Sequence, residues 1–156
     1  MRKTADQWFD EYGESHRNPT NKAIHWIAVP VIFTTIIGLL WSIPTPAAFD
    51  RVPYLNWGTL ALVVTTLWYV RLSPALGVGM ALFSVLMALV IAGFEHTGLM
   101  PVWAASIILF VVSWVFQFIG HHIEGKKPSF FKDIQFLLIG PAWLMGFIYR
   151  SLGVRY

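Results

Sequence analysis

The chain contains no cysteine. That excludes a disulfide framework, a thiolate metal site and a cysteine nucleophile, and any bound metal must take nitrogen or oxygen ligands. Charge is also scarce. Only 12% of the 156 residues are Asp, Glu, Lys or Arg, against about 25% in soluble domains. Hydrophobic residues make up 56%, mean hydropathy is +0.61, and the apolar residues fall in long runs. This excludes an ordinary soluble globule and implies a single integral membrane domain over residues 1–156. Motifs of several enzyme classes are absent: there is no Walker loop, no Gly-x-Ser-x-Gly elbow and no His-Glu-x-x-His. Gly77-Val-Gly79 lies inside an apolar run and reads as a packing notch. No repeat or low-complexity segment is evident. Residues 1–22 are polar and the first apolar run is too long for a signal-peptide core, so no secretion signal is expected. The net charge is +3, but the basic residues are scattered over loops, which argues for headgroup contact and against nucleic acid.

The spacing predicts an all-α fold: a polytopic transmembrane bundle of four spans, with an N-terminal amphipathic helix and a C-terminal re-entrant or interfacial helix. Thr4 and Gln7 form a capping-box pattern for a helix over 4–15. Trp8, Phe9 and Tyr12 share one face of it, suited to the bilayer interface or to packing on the protein itself. Asn18-Pro19 is a helix start, Asn as cap and Pro in the first turn. Apolar runs over 23–43, 54–72, 75–94 and 100–120 give the spans, with Pro30 expected to kink the first. Glu95-His96-Thr97-Gly98 reads as a polar break. The stretch 134–149 is short and holds Gly140-Pro141, so a re-entrant or interfacial segment is expected, with a fifth span as the alternative. Four spans with a cytoplasmic N-terminus put Arg2, Lys3, Arg17, Lys22, Arg71, Lys126, Lys127 and Lys132 inside and only Arg51 outside, which satisfies the positive-inside rule.

What is abundant at the membrane edges is histidine. Four of five lie in two clusters, His16 with His25 and His121 with His122. The expected topology brings both clusters to one side. Imidazole is the commonest neutral metal ligand near pH 7. His16, His25 and His121 with Glu124, which stands three residues after His121, form a candidate metal and catalytic set for non-haem iron or zinc. His122 is weaker, because adjacent helical residues diverge by about 100°. His96 sits about 37 Å from His121 if the fourth run is one helix, and joins the set only if that run is broken. Asn21 is placed to orient His25 from one turn away. Arg17, Lys126 and Lys127 are candidates for a substrate carboxylate. Solvated, structural histidines in a non-catalytic lipid-binding protein are the plain alternative.

The segment Tyr12-Gly-Glu-Ser-His16-Arg-Asn-Pro19-Thr-Asn21-Lys-Ala-Ile-His25, running on to Pro30, resembles the opening of the Mpo1-like family, the domain-of-unknown-function 962 family. Gln117-Phe-Ile-Gly120-His121-His-Ile-Glu124-Gly-Lys-Lys-Pro128, running on to Asp133, resembles its second motif. The resemblance implies an Fe(II)-dependent membrane dioxygenase that oxidises 2-hydroxy fatty acids to acids one carbon shorter. It matches His16, His25 and His121 to family histidines and places Glu124 near an acidic position, this chain being one residue shorter before Pro128. His96 corresponds to a family histidine that follows an acidic residue; His122 has no counterpart. The compact chain is similar to bacterial members, which implies the bacterial inner membrane (endoplasmic reticulum if eukaryotic) and either a different 2-hydroxy acid or a changed activity. A zinc-dependent lipid hydrolase with Glu124 as general base is the other enzymatic reading. Oligomeric state is not legible.

Overall fold

A computed structural model describes residues 3–129 and 134–156. The described chain is all-helical: α1 (Ala5–Gly13), α2 (Pro19–Trp41), a short 3-10 turn (Phe49–Arg51), α3 (Trp57–Leu72), α4 (Pro74–Thr97), α5 (Val102–Glu124) and α6 (Phe136–Ser151). Of the charges assigned to the inner side, Arg2 and Lys132 lie outside the described residues, as do Phe130 to Asp133 of the second motif.

The helix starts follow local chemistry. The Thr4–Gln7 capping box opens α1. The Asn18 side chain accepts from the amides of Thr20 and Asn21, and Pro19 occupies the first turn of α2, which continues through Pro30. Ser73 ends α3 and caps α4, with Pro74 following. Left-handed glycines close α4 and α5, Gly98 at φ 64° and Gly125 at φ 72°. The expected break at Glu95-His96-Thr97 is instead the last turn of α4, and the turn to α5 starts at Gly98.

Among the described residues three helices, α2, α4 and α5, are long and apolar enough to cross a membrane. The second of the four expected spans falls short. Tyr54 turns at φ 62° and Asn56 caps the helix, so α3 begins only at Trp57 and has 16 residues. At 1.5 Å per residue it is roughly 24 Å long, against a hydrocarbon core of about 30 Å. Its apolar face is nonetheless bare, with Val63, Val64 and Leu67 exposed.

The segment over 134–149 is the other short helix, α6, which runs unbroken through Gly140-Pro141. Ile139 and Ala142 are wholly buried. The Tyr69 hydroxyl donates to Leu138 O at 2.8 Å and that of Tyr149 to Ala75 O at 2.7 Å, tying α6 to α3 and α4. Helix α1 packs on α6 rather than presenting its aromatic face outward. Trp8 meets Phe136 edge-on at 5.3 Å and Tyr12 meets Trp143 at 5.2 Å; such pairs add about 0.5–1.5 kcal/mol each beyond area burial.

The most extensive helix packing among the described residues is α2 against α5, antiparallel. Small residues permit it. A Cβ at Gly38 would strike the Ser106 hydroxyl, and one at Gly120 would strike Asn21 Oδ1. Asn21 cannot easily give way, since its Nδ2 donates to Ser15 O at 3.0 Å and to Glu124 at 3.1 Å. Gly120→Ala is therefore expected to destabilise the protein by about 1–3 kcal/mol, read as a lower thermal unfolding midpoint in detergent. An unchanged midpoint would show that this contact does not limit the helix approach.

Candidate metal centre

Antiparallel pairing sets the start of α2 beside the end of α5. His25 lies in the second turn of α2, His121 in the last turn of α5, and His16 on the turn between α1 and α2. All three are buried, at 1%, 4% and 1% exposure respectively. One ring nitrogen from each lies within 4.8 Å of the others. Ring centroids are 4.2 Å apart for His16–His25, 5.0 Å for His16–His121 and 4.9 Å for His25–His121. Among the described residues this is the one group of three or more His, Asp or Glu side chains with that geometry.

The backbone orients two of the rings. His16 Nδ1 lies 2.6 Å from Tyr12 O, and His25 Nδ1 lies 2.9 Å from Asn21 O. A carbonyl only accepts, so each Nδ1 carries the proton and each Nε2 presents a lone pair. This i to i−4 arrangement follows from the sequence, because each histidine stands four residues after its carbonyl. Tyr12 also stacks on His16, centroids 4.0 Å apart. Burial pushes the His16 imidazole down to about 3, nearby His25 adds to the shift, and the bond to Tyr12 O opposes it. His16 is thus neutral at pH 7, the state a metal ligand needs.

Two observations test the fit to a cation. His16 Nε2 and His121 Nδ1 are both buried without a hydrogen-bond partner among the described residues. A buried unpaired polar atom costs about 1–3 kcal/mol, and a cation shared by the three rings would remove that cost. The donors are all imidazole nitrogens, which suit zinc, iron, copper or nickel and not magnesium or calcium. The residues therefore fit a divalent transition metal, with positions left over for other ligands. Beside the rings is a cavity of about 40 Å³, above the roughly 10–15 Å³ that admits a water.

The other expected site residues stand elsewhere. Glu124 is not in the ligand group. Its oxygens accept from the backbone amides of Arg17 at 2.9 Å and Asn18 at 2.8 Å, and from the Asn21 side chain. The carboxylate spends its lone pairs clamping the end of α5 to the start of α2. Asn21 does hold His25, but through its backbone carbonyl; its side chain serves the Glu124 clamp. His122 points outward and is exposed. His96 is exposed in the last turn of α4 and takes no part in the cluster, because α5 is one unbroken helix. Arg17 and Lys127 are exposed, and Lys126 donates to Glu14 O at 2.9 Å. Lys126 and Lys127 flank an outer groove that reaches His121.

Two elements escaped the sequence reading of the site. Gln117, one turn before His121, is buried and lines the cavity. Its signal was a lone amide inside an apolar run, since polar groups within spans face the protein interior. Ser129 forms the roof, its hydroxyl 2.6 Å from that of Ser15. Nothing in the spacing pairs those two serines.

The sequence model of the family described as "2-hydroxy-palmitic acid dioxygenase Mpo1-like" matches residues 2–152. The chain is also similar to the 2-hydroxy-palmitic acid dioxygenase of Saccharomyces cerevisiae, at 26% identity over 132 residues, covering 83% of this chain and 71% of that protein. No solved structure matches.

Purified protein is expected to hold one equivalent of a transition metal by elemental analysis. His16→Ala, His25→Ala and His121→Ala should each lose it, while His96→Ala and His122→Ala keep it. Glu124→Gln is expected to weaken metal affinity on the order of 10-fold, as for groups that orient ligands indirectly. Metal retained in all three cluster variants would remove the site. Acid should also act on the metal-free protein. Between about 6.5 and about 3 the unfolded chain protonates His16 and the folded chain does not, so stability falls as pH drops through that window. His16→Asn should flatten the slope of unfolding midpoint against pH; an unchanged slope would assign the acid sensitivity to other groups.

Proposed function

The chain belongs to the Mpo1-like family, and from that membership and the imidazole cluster we propose that it is a membrane-embedded Fe(II)-dependent dioxygenase of 2-hydroxy fatty acids, releasing an acid one carbon shorter. The observation that carries the reading is the trio of buried imidazoles, two of them oriented by backbone carbonyls, in a chain similar to a protein named as a dioxygenase. His16, His25 and His121 would hold the metal. Bound Fe(II) supplies the redox chemistry with dioxygen that side chains lack.

The protein's own part is binding, orientation and exclusion of water. The carbonyls of Tyr12 and Asn21 fix two rings before any metal arrives, which spares the site that ordering cost. Tyr12, Phe136 and Ser129 line the cavity, and the Ser129 hydroxyl meets that of Ser15. Burial holds the Tyr12 phenol well above its ordinary range, so it stays protonated. Arg17, Lys126 and Lys127 lie at the rim, where positive charge favours an approaching carboxylate. Apolar helices bring the cavity to a substrate that already resides in the bilayer. The reaction is placed at the membrane edge that both histidine clusters share, cytoplasmic if the positive charges face inward. A zinc hydrolase with Glu124 as base is less well supported, since three N–H donors already occupy that carboxylate.

Fe(II)-loaded protein given a 2-hydroxy long-chain acid is expected to yield, by mass spectrometry, the acid one carbon shorter, and only when oxygen is present. His121→Ala should abolish the product without loss of folding. Product formed equally under nitrogen would replace this reading with a hydrolytic one.

A further inference from the structure

Beyond the imidazoles the cavity wall continues as an apolar stripe. Val29, Ile32, Phe33 and Ile36 follow His25 by four, seven, eight and eleven residues, so they share its face of α2. Helix α2 packs against both α5 and α6, and the stripe floors the space between those two. Trp114 of α5 forms one flank and Gly140 of α6 the other. A Cβ at Gly140 would sit 3.1 Å from both the Val29 side chain and the Tyr12 hydroxyl, so this flank stays narrow only because it is glycine. No charged side chain lines the space among the described residues. Polar groups gather at the histidine end, and the walls are apolar from Val29 to Ile36. Eleven residues of helix span roughly 16 Å. Val29, Ile32 and Phe33 are buried, whereas Ile36 and Trp114 are half-buried at the mouth.

A site with a polar, cation-fitting head and a long, narrow, uncharged body matches one ligand shape, an unbranched amphiphile. We propose that this cleft seats the alkyl chain of the acid and that Ile36, at its far end, sets the chain length that can be fully held. The inference rests on the reading of the imidazole cluster as the place where the acid head binds. The chain lies along α2 with its head at His25, and the bilayer supplies the wall that the protein leaves open. Ile36 is then a specificity residue that touches only the tail.

The test is binding rather than turnover. Full-length protein in nanodiscs is loaded with Fe(II) under nitrogen, and straight-chain 2-hydroxy acids of eight to eighteen carbons displace a fluorescent fatty acid. Comparing variant with wild type at each length cancels partitioning into the bilayer. Each methylene that enters the cleft should strengthen binding about fourfold, from about 0.8 kcal/mol per buried CH₂, until the cleft is full. Ile36→Trp should leave the shortest acids unaffected and weaken the longest about tenfold or more, two methylenes' worth at that increment. Ile36→Ala, which removes bulk at a half-exposed position and so preserves folding, should shift the plateau to longer acids. Loss that is equal at every length, or no change in either variant, would overturn the assignment. The two readings fail separately. Length-dependent binding without oxygen-dependent product keeps the cleft and sinks the dioxygenase, and product with an unaltered length profile in both Ile36 variants does the reverse.

Discussion

Asn21 pressed against the backbone of Gly120 fixes how closely α2 and α5 can run, and the site depends on that approach. With apolar side chains on all sides, lipid gives no hydrophobic reason for two helices to associate, so close packing and polar contacts must supply it. The seam has both. Gly38 and Gly120 remove bulk, Ser106 and Ser113 are small, and Glu124 crosses the seam to bind the amides of Arg17 and Asn18. Those amides sit just before the first turn of α2, where a carboxylate is favoured. One clamp thus ties the end of α5, with His121, to the start of α2.

Burying three imidazoles in one place is costly unless they have work to do. The folded chain keeps His16 neutral, orients His16 and His25 through carbonyls one turn earlier, and leaves lone pairs converging on a small space. A structural histidine would normally find a partner for each buried nitrogen; here two nitrogens have none among the described residues. Beyond the α2–α5 pair, the cavity wall comes from α1 and α6. Helix α6 is covered by α1 and pinned by two tyrosine hydroxyls, and it closes the side of the cavity that the pair leaves open.

The helices themselves were legible because their signals are local. The Thr4 capping box, the Asn18-Pro19 start and the Ser73-Pro74 break lie where the sequence puts them. Apolar length located α2, α4 and α5, the helices long enough to cross a membrane, but counting it overstated α3, since Tyr54 and Asn56 are spent on a turn and a cap. The same limit applied to Glu95, His96 and Thr97, polar residues that finish a helix instead of interrupting one.

From its sequence alone this protein was bound to be an all-helical chain with helices long and apolar enough to cross a membrane and a cysteine-free candidate site of imidazole donors. Composition, hydrophobic run length and the order of the two histidine motifs act residue by residue and need no partner. Which residues make up the site was decided only in three dimensions. Spacing put Glu124 on a par with His121, yet one is a clamp and the other joins the cluster, because a helix turns each side chain toward whatever neighbour the packing supplies. The route of α6, the placing of Gln117 and Ser129 at the cavity, and the cleft along α2 likewise depend on contacts between segments far apart in the chain. Local sequence signals carry no record of such distances.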